Sequence, residues 1–271
     1  ENSTRTYSSF RTAIHRLGGL TCGFAGTAGT SVLKGESLHD TIKMFEEYAD
    51  AIVLRHPRDG ASRWAADVSS VPVINAGDGQ NQHPTQTLLD LLAIKRTQGR
   101  LTGLKVAMVG DLKYGRTVHS LCKLLCQYRN VTVALISPAE LKMPEGIVEQ
   151  LCEAGHVVVE SESMETSISN VDIAYSTRIQ EERFSSKADA DLYRGRYRLN
   201  QSIYTRFCEP NTVIMHPLPR DSRQEANELD NDLNDNPNLA IFRQADNGVL
   251  VRMALFALTL DVVEQIDKSA R

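Results

Sequence analysis

The chain has 271 residues, a length that favours two domains, since one domain usually takes roughly 100–200 residues. Charged residues make up 24% and apolar residues 41%, an ordinary globular composition that excludes a disordered, collagen-like or coiled-coil chain. The formal net charge of −4 comes from intermixed acidic and basic residues, so we expect small-molecule partners and no nucleic-acid surface.

No apolar segment approaches the ~20 residues that a membrane span needs, and residues 1–10 lack the apolar core of a secretory signal. We therefore expect no membrane association and a cytoplasmic location. The five cysteines are an odd number and include no C-x-x-C pair, which supports neither a disulfide framework nor a zinc site. No metal site is predicted.

Amphipathic helical segments and short apolar strands alternate along the chain. The first helix places Phe10, Ile14 and Leu17 on one face. In chain order, the predicted elements are this helix, a helix over 38–49, strands at 51–54 and 71–74, a helix over 84–94, and strands at 105–109, 131–136, 157–159, 173–175 and 212–215. The alternation predicts an α/β fold, with two domains that each hold a parallel sheet flanked by helices.

Polar residues follow several of the predicted strands. In an open parallel sheet, ligands bind beyond the carboxyl ends of the strands, so these positions are candidates for function. Each residue alone could instead form a surface ion pair or, in the case of a histidine, fill a core position. Together, three arginines and two histidines predict a site for a ligand with more than one anionic group: Arg55, His83, Arg116, Arg178 and His216.

Two motifs leave alternatives open. Ser3-Thr4-Arg5-Thr6 stands at a helix start, where backbone N–H groups and hydroxyls either bind a phosphate or form an ordinary N-cap. Residues 110–117 (GDLKYGRT) have the spacing of a nucleotide-binding P-loop, with Arg116 in place of its lysine. Because no aspartate at another strand end is suited to hold a metal, a nucleotide-binding module is the weaker alternative. A guanidinium at this position suits a carboxylate.

Eight motifs, taken in chain order, resemble those of the aspartate carbamoyltransferase catalytic chains, and the resemblance extends across essentially the whole chain. Any one motif is weak evidence, but eight in the same order do not arise by chance. They are Ser3-Thr4-Arg5-Thr6, Lys34-Gly35-Glu36, Arg55-His56-Pro57, residues 75–79 (NAGDG), His83-Pro84-Thr85-Gln86, residues 115–119 (GRTVH), Thr177-Arg178-Ile179-Gln180 and His216-Pro217-Leu218-Pro219-Arg220.

The resemblance implies transfer of a carbamoyl group from carbamoyl phosphate to L-aspartate in pyrimidine biosynthesis, without a metal or organic cofactor. It also implies the fold of the aspartate and ornithine carbamoyltransferases. The nearest alternative is the sister ornithine family, which typically has His-Cys-Leu-Pro where this chain has residues 216–219 (HPLP), and lacks a lysine matching Lys34. A catalytically idle homologue that binds carbamoyl phosphate is a further alternative.

The resemblance implies a role for each site residue. Thr6, Lys34, Arg55 and His83 are implied as catalytic. Carbamoyl phosphate binding is implied for Ser3, Thr4, Arg5, Thr6, Arg55, His83, Gln86, Leu218 and Pro219. Aspartate binding is implied for Lys34, Arg116, Arg178 and Gln180. Arg178 with Gln180 suits a second carboxylate better than the ammonium group of ornithine.

In the resembling family, the lysine matching Lys34 and a nearby serine reach into the active site of a neighbouring subunit, which implies a homotrimer with shared active sites. This chain has Thr30 where the family usually has that serine, with Ser31 next to it, and either hydroxyl could serve. Regulatory chains and fused pathway domains are partners that the sequence leaves open. Residues 221–237 are longer and more acidic than the family pattern, so no role is transferred to them. Residues 181–200 are either a solvated loop or a mobile loop that closes on aspartate.

The resemblance divides the chain into a carbamoyl phosphate domain, residues 1–83 with 248–271, and an aspartate domain, residues 84–247. Because the family carries about fifty residues before the Ser-Thr-Arg-Thr motif, including a helix and a strand, we expect the chain to be a fragment. The terminal helix should then expose an apolar face around Leu250, Ala254 and Leu258.

Overall fold

The structure is a computed structural model that describes residues 2–184 and 186–266. The chain divides into two compact units: unit 1 comprises Glu1–Leu88 and Asp246–Arg271, and unit 2 comprises Leu89–Ala245. Each unit contains a parallel sheet with helices, so the predicted α/β fold is confirmed. In the part of the chain that the structure describes, no helix is both long enough and apolar enough to cross a membrane.

Unit 1 contains a two-stranded parallel sheet, formed by β1 (Ile52–His56) and β2 (Val73–Asp78). Its helices are α1 (Thr4–Arg16), α2 (Leu38–Glu46) and α3 (Ala61–Val68). The second of these ends three residues earlier than the sequence predicts. Helix α4 (Pro84–Gln98) begins in unit 1 and continues into unit 2.

Unit 2 is built on a five-stranded parallel sheet in the order β5-β4-β3-β6-β7. The strands are β3 (Lys105–Val109), β4 (Thr132–Ile136), β5 (Val157–Ser161), β6 (Ile173–Ser176) and β7 (Val213–Met215). The helices are α5 (Arg116–Leu125), α6 (Glu145–Glu153), α7 (Met164–Ser167), α8 (Lys187–Asp191) and α9 (Gln201–Phe207). Helix α10 (Ile241–Thr259) begins in unit 2 and ends in unit 1.

The sheet of unit 2 is covered on both faces. Val106 and Met108 of β3 belong to one buried hydrophobic cluster, whereas Ala107 and Val109 belong to another. Successive side chains of a strand point to opposite faces, so a sheet covered on both sides needs apolar residues at every position. This is why its strands stand out in the sequence as continuous apolar runs.

The core of unit 1 packs α1 against the C-terminal half of α10. Phe10 is buried in one cluster with Ile74 and Phe256, and the centroids of the two phenylalanine rings lie 5.9 Å apart in an edge-on arrangement. Ile14 and Leu17 pack against the same cluster. The predicted apolar face of the first helix is therefore confirmed.

All seven predicted strands are present, but four of them, β1, β2, β5 and β6, end later than the sequence predicts. β1 continues to His56 and β2 to Asp78, so Arg55 and Asn75 lie within strands and not after them. The predicted ends at residues 54 and 74 were wrong because the backbone, not side-chain hydrophobicity, forms the ladder: His56 still pairs with Asp78 beyond a register shift.

The predicted apolar face of the terminal helix is confirmed. On α10, Leu250 is 39% exposed and Leu258 is 70% exposed, and Ala254 between them is also exposed. Residues four apart lie on the same side of a helix, so the three side chains form one apolar stripe.

Candidate functional site

The start of α1 contains the first predicted binding motif. Ser3 is the N-cap: its hydroxyl oxygen accepts a hydrogen bond of 3.4 Å from the backbone N–H of Thr6 and donates one of 3.0 Å to Thr6 Oγ1. Thr4 and Arg5 are exposed, whereas Thr6 is buried. Both interpretations of the motif fit this geometry, because a capped helix start still offers backbone N–H groups and the positive end of the helix dipole to an anion.

Unit 1 brings two predicted donors together. Arg55 lies in β1 and His83 stands directly before α4, and Arg55 Nη1 is 3.4 Å from His83 Nε2. Since a guanidinium can only donate, Nε2 accepts in this contact and the neutral imidazole carries its proton on Nδ1. Arg55 Nη1 also donates to the backbone oxygen of Ala76 at 3.3 Å, which attaches the pair to β2. Such a group of N–H donors suits an oxygen that gains negative charge.

A buried carboxylate fixes the loop between β2 and α4. The oxygens of Asp78 accept hydrogen bonds from the backbone N–H groups of Gly60 (2.8 Å) and Gln82 (3.2 Å) and from the side-chain amides of Asn75 (3.0 Å) and Asn81 (3.1 Å). Each of these donors would cost free energy if it were left unpaired away from water. Asp78 lies in the motif of residues 75–79, but the sequence alone predicted no role for it.

Sequence analysis missed a buried cation in unit 1. Arg252 of α10 is 4% exposed, its Nη1 donates to Ser9 Oγ at 2.9 Å, and its Nη2 donates to Thr85 Oγ1 at 3.4 Å. Burial lowers the pKa of its guanidinium to about 10. Among residues 2–184 and 186–266, no carboxylate forms an ion pair with it; its guanidinium carbon lies 4.8 Å from the centroid of the Phe10 ring, so two hydroxyls and an aromatic face contact the charge. The overlooked signal was an arginine inside the apolar run at 249–260.

Lys34 lies on an exposed segment of unit 1. It ends a 3₁₀ turn, Ser31–Lys34, and within the described residues it forms no hydrogen bond or ion pair with Arg55 or His83. The hydroxyl of Thr30 donates to the backbone oxygen of Thr27 at 2.7 Å, whereas Ser31 is exposed.

In unit 2, two glycines allow close contacts within and between the loops that follow β3 and β6. Gly110 has φ of +118°, and a Cβ on it would lie 2.3 Å from the backbone oxygen of Thr177. A Cβ on Gly115 would lie 2.5 Å from the backbone oxygen of Asp111. The P-loop-like spacing therefore has a reason that needs no nucleotide, because the glycines permit backbones to approach. Arg116, the first residue of α5, is buried here.

Asp111 joins the loop of Arg116 to the loop of Arg178. Its buried carboxylate accepts a hydrogen bond of 2.9 Å from the backbone N–H of Tyr114 and another of 3.1 Å from the backbone N–H of Gln180. Two predicted guanidiniums therefore stand on loops that share one acceptor. Loops fixed to each other in this way are suited to hold two carboxylate groups of one ligand.

Ionic and aromatic contacts hold the segment that follows the second loop. Glu181 accepts two hydrogen bonds of 2.7 Å from Arg194 and one of 2.7 Å from Arg223. These arginines, Arg194 foremost, hold the pKa of the Glu181 carboxyl below its usual value. The ring of Phe184 packs against two tyrosine rings at centroid distances of 5.5 and 5.9 Å. The mobile loop expected over residues 181–200 stays a prediction.

The sequence left His216 open between a ligand-binding and a core position. It follows β7 and is 1% exposed; its Nδ1 accepts a hydrogen bond of 2.9 Å from the backbone N–H of Leu218, and its Nε2 lies 2.8 Å from Glu228 Oε1 without forming a hydrogen bond. This burial and these neighbours within unit 2 support the core alternative. The turn beside it contains Leu218 at φ of +55°, a conformation that costs a branched residue about 1–2 kcal/mol, and a cis peptide bond to Pro219.

The predicted site residues fall into two groups. Unit 1 contains Ser3, Thr4, Arg5, Thr6, Lys34, Arg55, His83 and Gln86, and unit 2 contains Arg116, Arg178, Gln180, Leu218 and Pro219. Each group combines cationic side chains with N–H donors held by the surrounding backbone.

Two family models match most of the chain. Residues 1–96 match the carbamoyl-P binding domain of aspartate/ornithine carbamoyltransferase, and residues 102–259 match the Asp/Orn binding domain. The aspartate carbamoyltransferase catalytic subunit of Cellvibrio japonicus is 63% identical over 100% of this chain and 81% of its own length. That of Thermococcus onnurineus is 52% identical over 97% of this chain and 83% of its own.

Solved structures give the same result. The catalytic subunit of M. jannaschii aspartate transcarbamoylase is 45% identical with a TM-score of 0.86, over 98% of this chain and 84% of that one. Aspartate transcarbamoylase from Trypanosoma cruzi, in complex with N-(phosphonacetyl)-L-aspartic acid, is 37% identical with a TM-score of 0.86, over 94% and 80%.

The role of Asp111 can be tested by its isosteric amide. Asp111→Asn replaces one acceptor oxygen by an NH2 group, which cannot accept from the backbone N–H that it faces. We expect the free energy of unfolding to fall by about 1–3 kcal/mol, measured by urea denaturation. The control is Asp235→Asn on an exposed residue of the same unit, which should change the value by less than about 0.5 kcal/mol. Equal effects of the two substitutions would contradict the assigned role.

Proposed function

The chain belongs to the aspartate/ornithine carbamoyltransferase family, and we propose that it transfers the carbamoyl group of carbamoyl phosphate to the amine of L-aspartate. The products are N-carbamoyl-L-aspartate and phosphate, and the reaction serves pyrimidine biosynthesis. The observation that carries the proposal is the pairing of Arg55 with His83 in unit 1, in a chain of this family. The proposed carbamoyl phosphate domain is residues 1–83 with 248–271, and the proposed aspartate domain is residues 84–247.

The phosphate group binds at the start of α1. Backbone N–H groups of the first turn, the hydroxyls of Ser3, Thr4 and Thr6, and the guanidinium of Arg5 supply donors and positive charge for it. The capped geometry supports this role because the hydroxyls are already placed at the positive end of a 13-residue helix. Buried Arg252 adds a second positive charge to the same unit.

The carbonyl oxygen is the atom whose charge changes most. The amine of aspartate attacks the carbonyl carbon, the bond from that carbon to the phosphate oxygen breaks, phosphate leaves with the electron pair, and the new nitrogen bond is completed by loss of a proton. Negative charge accumulates on the carbonyl oxygen during the attack. Arg55, His83 and Thr6 donate hydrogen bonds to it, and preorganised donors of this kind are worth about 3–4 kcal/mol each.

The remaining contacts select the two substrates. Gln86 and the backbone at Leu218 and Pro219 accept hydrogen bonds from the carbamoyl NH2 group. Arg116 and Arg178 bind the two carboxylates of aspartate, assisted by Gln180. The shared acceptor Asp111 supports this pairing.

Lys34 serves the active site of a neighbouring subunit in a cytoplasmic homotrimer. Its exposed position supports this role. Ser31 is the better candidate for the accompanying hydroxyl, because the hydroxyl proton of Thr30 is donated to Thr27.

The activity assay separates the proposed reaction from its alternatives. Phosphate release from carbamoyl phosphate should require L-aspartate and should not occur with L-ornithine. Release with ornithine would instead identify an ornithine-type enzyme. Tight binding of N-(phosphonacetyl)-L-aspartate without any turnover would identify an idle homologue, and the absence of binding would contradict the assignment of both groups of residues.

Arg178 should act on aspartate and not on carbamoyl phosphate. Arg178→Ala removes one guanidinium of the proposed pair, and we expect the KM for aspartate to rise about 30- to 1000-fold. Steady-state kinetics and calorimetric titration measure the two affinities. The dissociation constant of carbamoyl phosphate should change less than about threefold. Arg206→Ala, on an exposed arginine of α9, is the matched control; loss of both affinities in Arg178→Ala would contradict the assignment.

Sharing of active sites can be tested by mixing two inactive variants. Lys34→Ala and Arg55→Ala chains are denatured together in equal amounts and refolded. In a trimer with shared sites, about a quarter of the sites combine an intact Arg55 with an intact Lys34 from the neighbour, so about a quarter of the activity should return. A mixture of Arg55→Ala with His83→Ala is the control, since both lesions lie in the same subunit's share of the site. No recovery in the first mixture would place Lys34 in its own subunit's site.

A further inference from the structure

Residues 221–237, to which the sequence analysis transferred no role, contain a buried acid beside the Leu218–Pro219 turn. We propose that Glu228 is a positioning residue which, through His216, fixes the backbone of Leu218 so that the turn distinguishes the carbamoyl NH2 group from a methyl group. This inference rests on the proposed function. It assigns to Glu228 a part in substrate selection without direct contact with the substrate.

The partners of the two ring nitrogens determine the tautomer of His216. Its Nδ1 lies 2.9 Å from the backbone nitrogen of Leu218, which can only donate, so Nδ1 must accept. A neutral imidazole then carries its proton on Nε2, which lies 2.8 Å from Glu228 Oε1. The contact lacks the alignment of a hydrogen bond, but a carboxylate at this distance attracts a proton to Nε2 and so favours the one tautomer in which the ring can accept from Leu218.

Glu228 also holds the other end of the turn through hydrogen bonds to its backbone. Its carboxylate accepts from the backbone N–H of Asp221 at 3.0 and 3.3 Å through its two oxygens. The buried carboxylate of Glu228 therefore lies against the imidazole of His216, which supports Leu218. It also accepts from the backbone just after Arg220. The turn of residues 218–220 is held from both sides.

A chain of buried hydrogen bonds holds the backbone of His216 in place. Its backbone N–H donates to Gln244 Oε1 at 2.9 Å, Gln244 Nε2 donates to Asp90 Oδ1 at 2.6 Å, and Asp90 Oδ2 accepts from the hydroxyl of Tyr175 at 2.7 Å. All four of these residues are buried in unit 2. Helices α4 and α10 and strand β6 therefore fix the point from which the imidazole reaches the turn.

These contacts affect substrate selection because the backbone of the turn is proposed to accept a hydrogen bond from the carbamoyl NH2 group. Leu218 holds a left-handed conformation at φ of +55° that a leucine does not adopt by preference. Without an acceptor for its N–H, the backbone would relax and its carbonyl would leave the position that accepts from the carbamoyl NH2. A methyl group in place of NH2 makes no such hydrogen bond, so binding of an acetyl analogue should not depend on this support.

The experiment compares carbamoyl phosphate with acetyl phosphate in the full chain. Dissociation constants of both compounds, and of inorganic phosphate, are measured by calorimetry for wild type and Glu228→Ala. We expect the affinity for carbamoyl phosphate to fall about tenfold, while those for acetyl phosphate and phosphate change less than about twofold. Glu228→Gln keeps an acceptor oxygen for His216 and should restore most of the discrimination. Glu225→Gln, on an exposed acid of the same segment, is the control.

If Glu228→Ala does not fold, two substitutions of His216 test the same proposal. The amide of His216→Asn occupies the place of Nδ1 and can still accept from Leu218, whereas the amide of His216→Gln occupies the place of Nε2 and cannot. Discrimination should therefore persist in the first and fall in the second. Equal loss of affinity for all three ligands, or unchanged discrimination in His216→Gln, would overturn the inference. Failure of the wild type to bind carbamoyl phosphate would instead refute the proposed function.

Discussion

The carboxylate of Asp111 is the acceptor that joins the two loops proposed to bind aspartate. It receives the backbone N–H of Tyr114 from one loop and that of Gln180 from the next, which lets two arginines stand on backbones that cannot separate freely. Asp78 acts similarly in unit 1, where it accepts hydrogen bonds from four donors around the loop that leads to His83. In both units, a buried acid at or just after a strand end fixes the backbone beside the proposed site residues.

The same kind of buried acceptor recurs within each unit. Asp78 and Glu228 accept from backbone and side-chain N–H groups, and the charge of a carboxylate makes such hydrogen bonds stronger than those between neutral groups. Arg252 is different, because it is buried with hydroxyl partners. The interior of unit 1 therefore contains both a buried carboxylate, Asp78, and a buried guanidinium, Arg252.

The sequence predicted the fold well because most strands of the sheet in unit 2 are covered on both faces and form continuous apolar runs, although Val157 and Val159 of the edge strand β5 are exposed. Predictions for β1 and β2 ended too early because polar residues such as Arg55 can belong to a strand when the backbone pairing continues. Most site residues were identified by resemblance to a family, not by chemistry alone. His216 shows the limit: a histidine after a strand looks the same whether it faces a ligand or a core. Glu228 gave no signal, since its function depends on contacts that only the folded chain creates.

The buried guanidinium of Arg252 would make the free energy of unfolding of unit 1 sensitive to an anion that binds close to it. A cation held away from water without a carboxylate raises the free energy of the folded state, and an anion bound nearby lowers it. Any ligand that binds only the folded form shifts the folding equilibrium in proportion to the logarithm of its concentration. Phosphate is a product of the proposed reaction, so it would stabilise the folded form of the unit in which we propose that it binds.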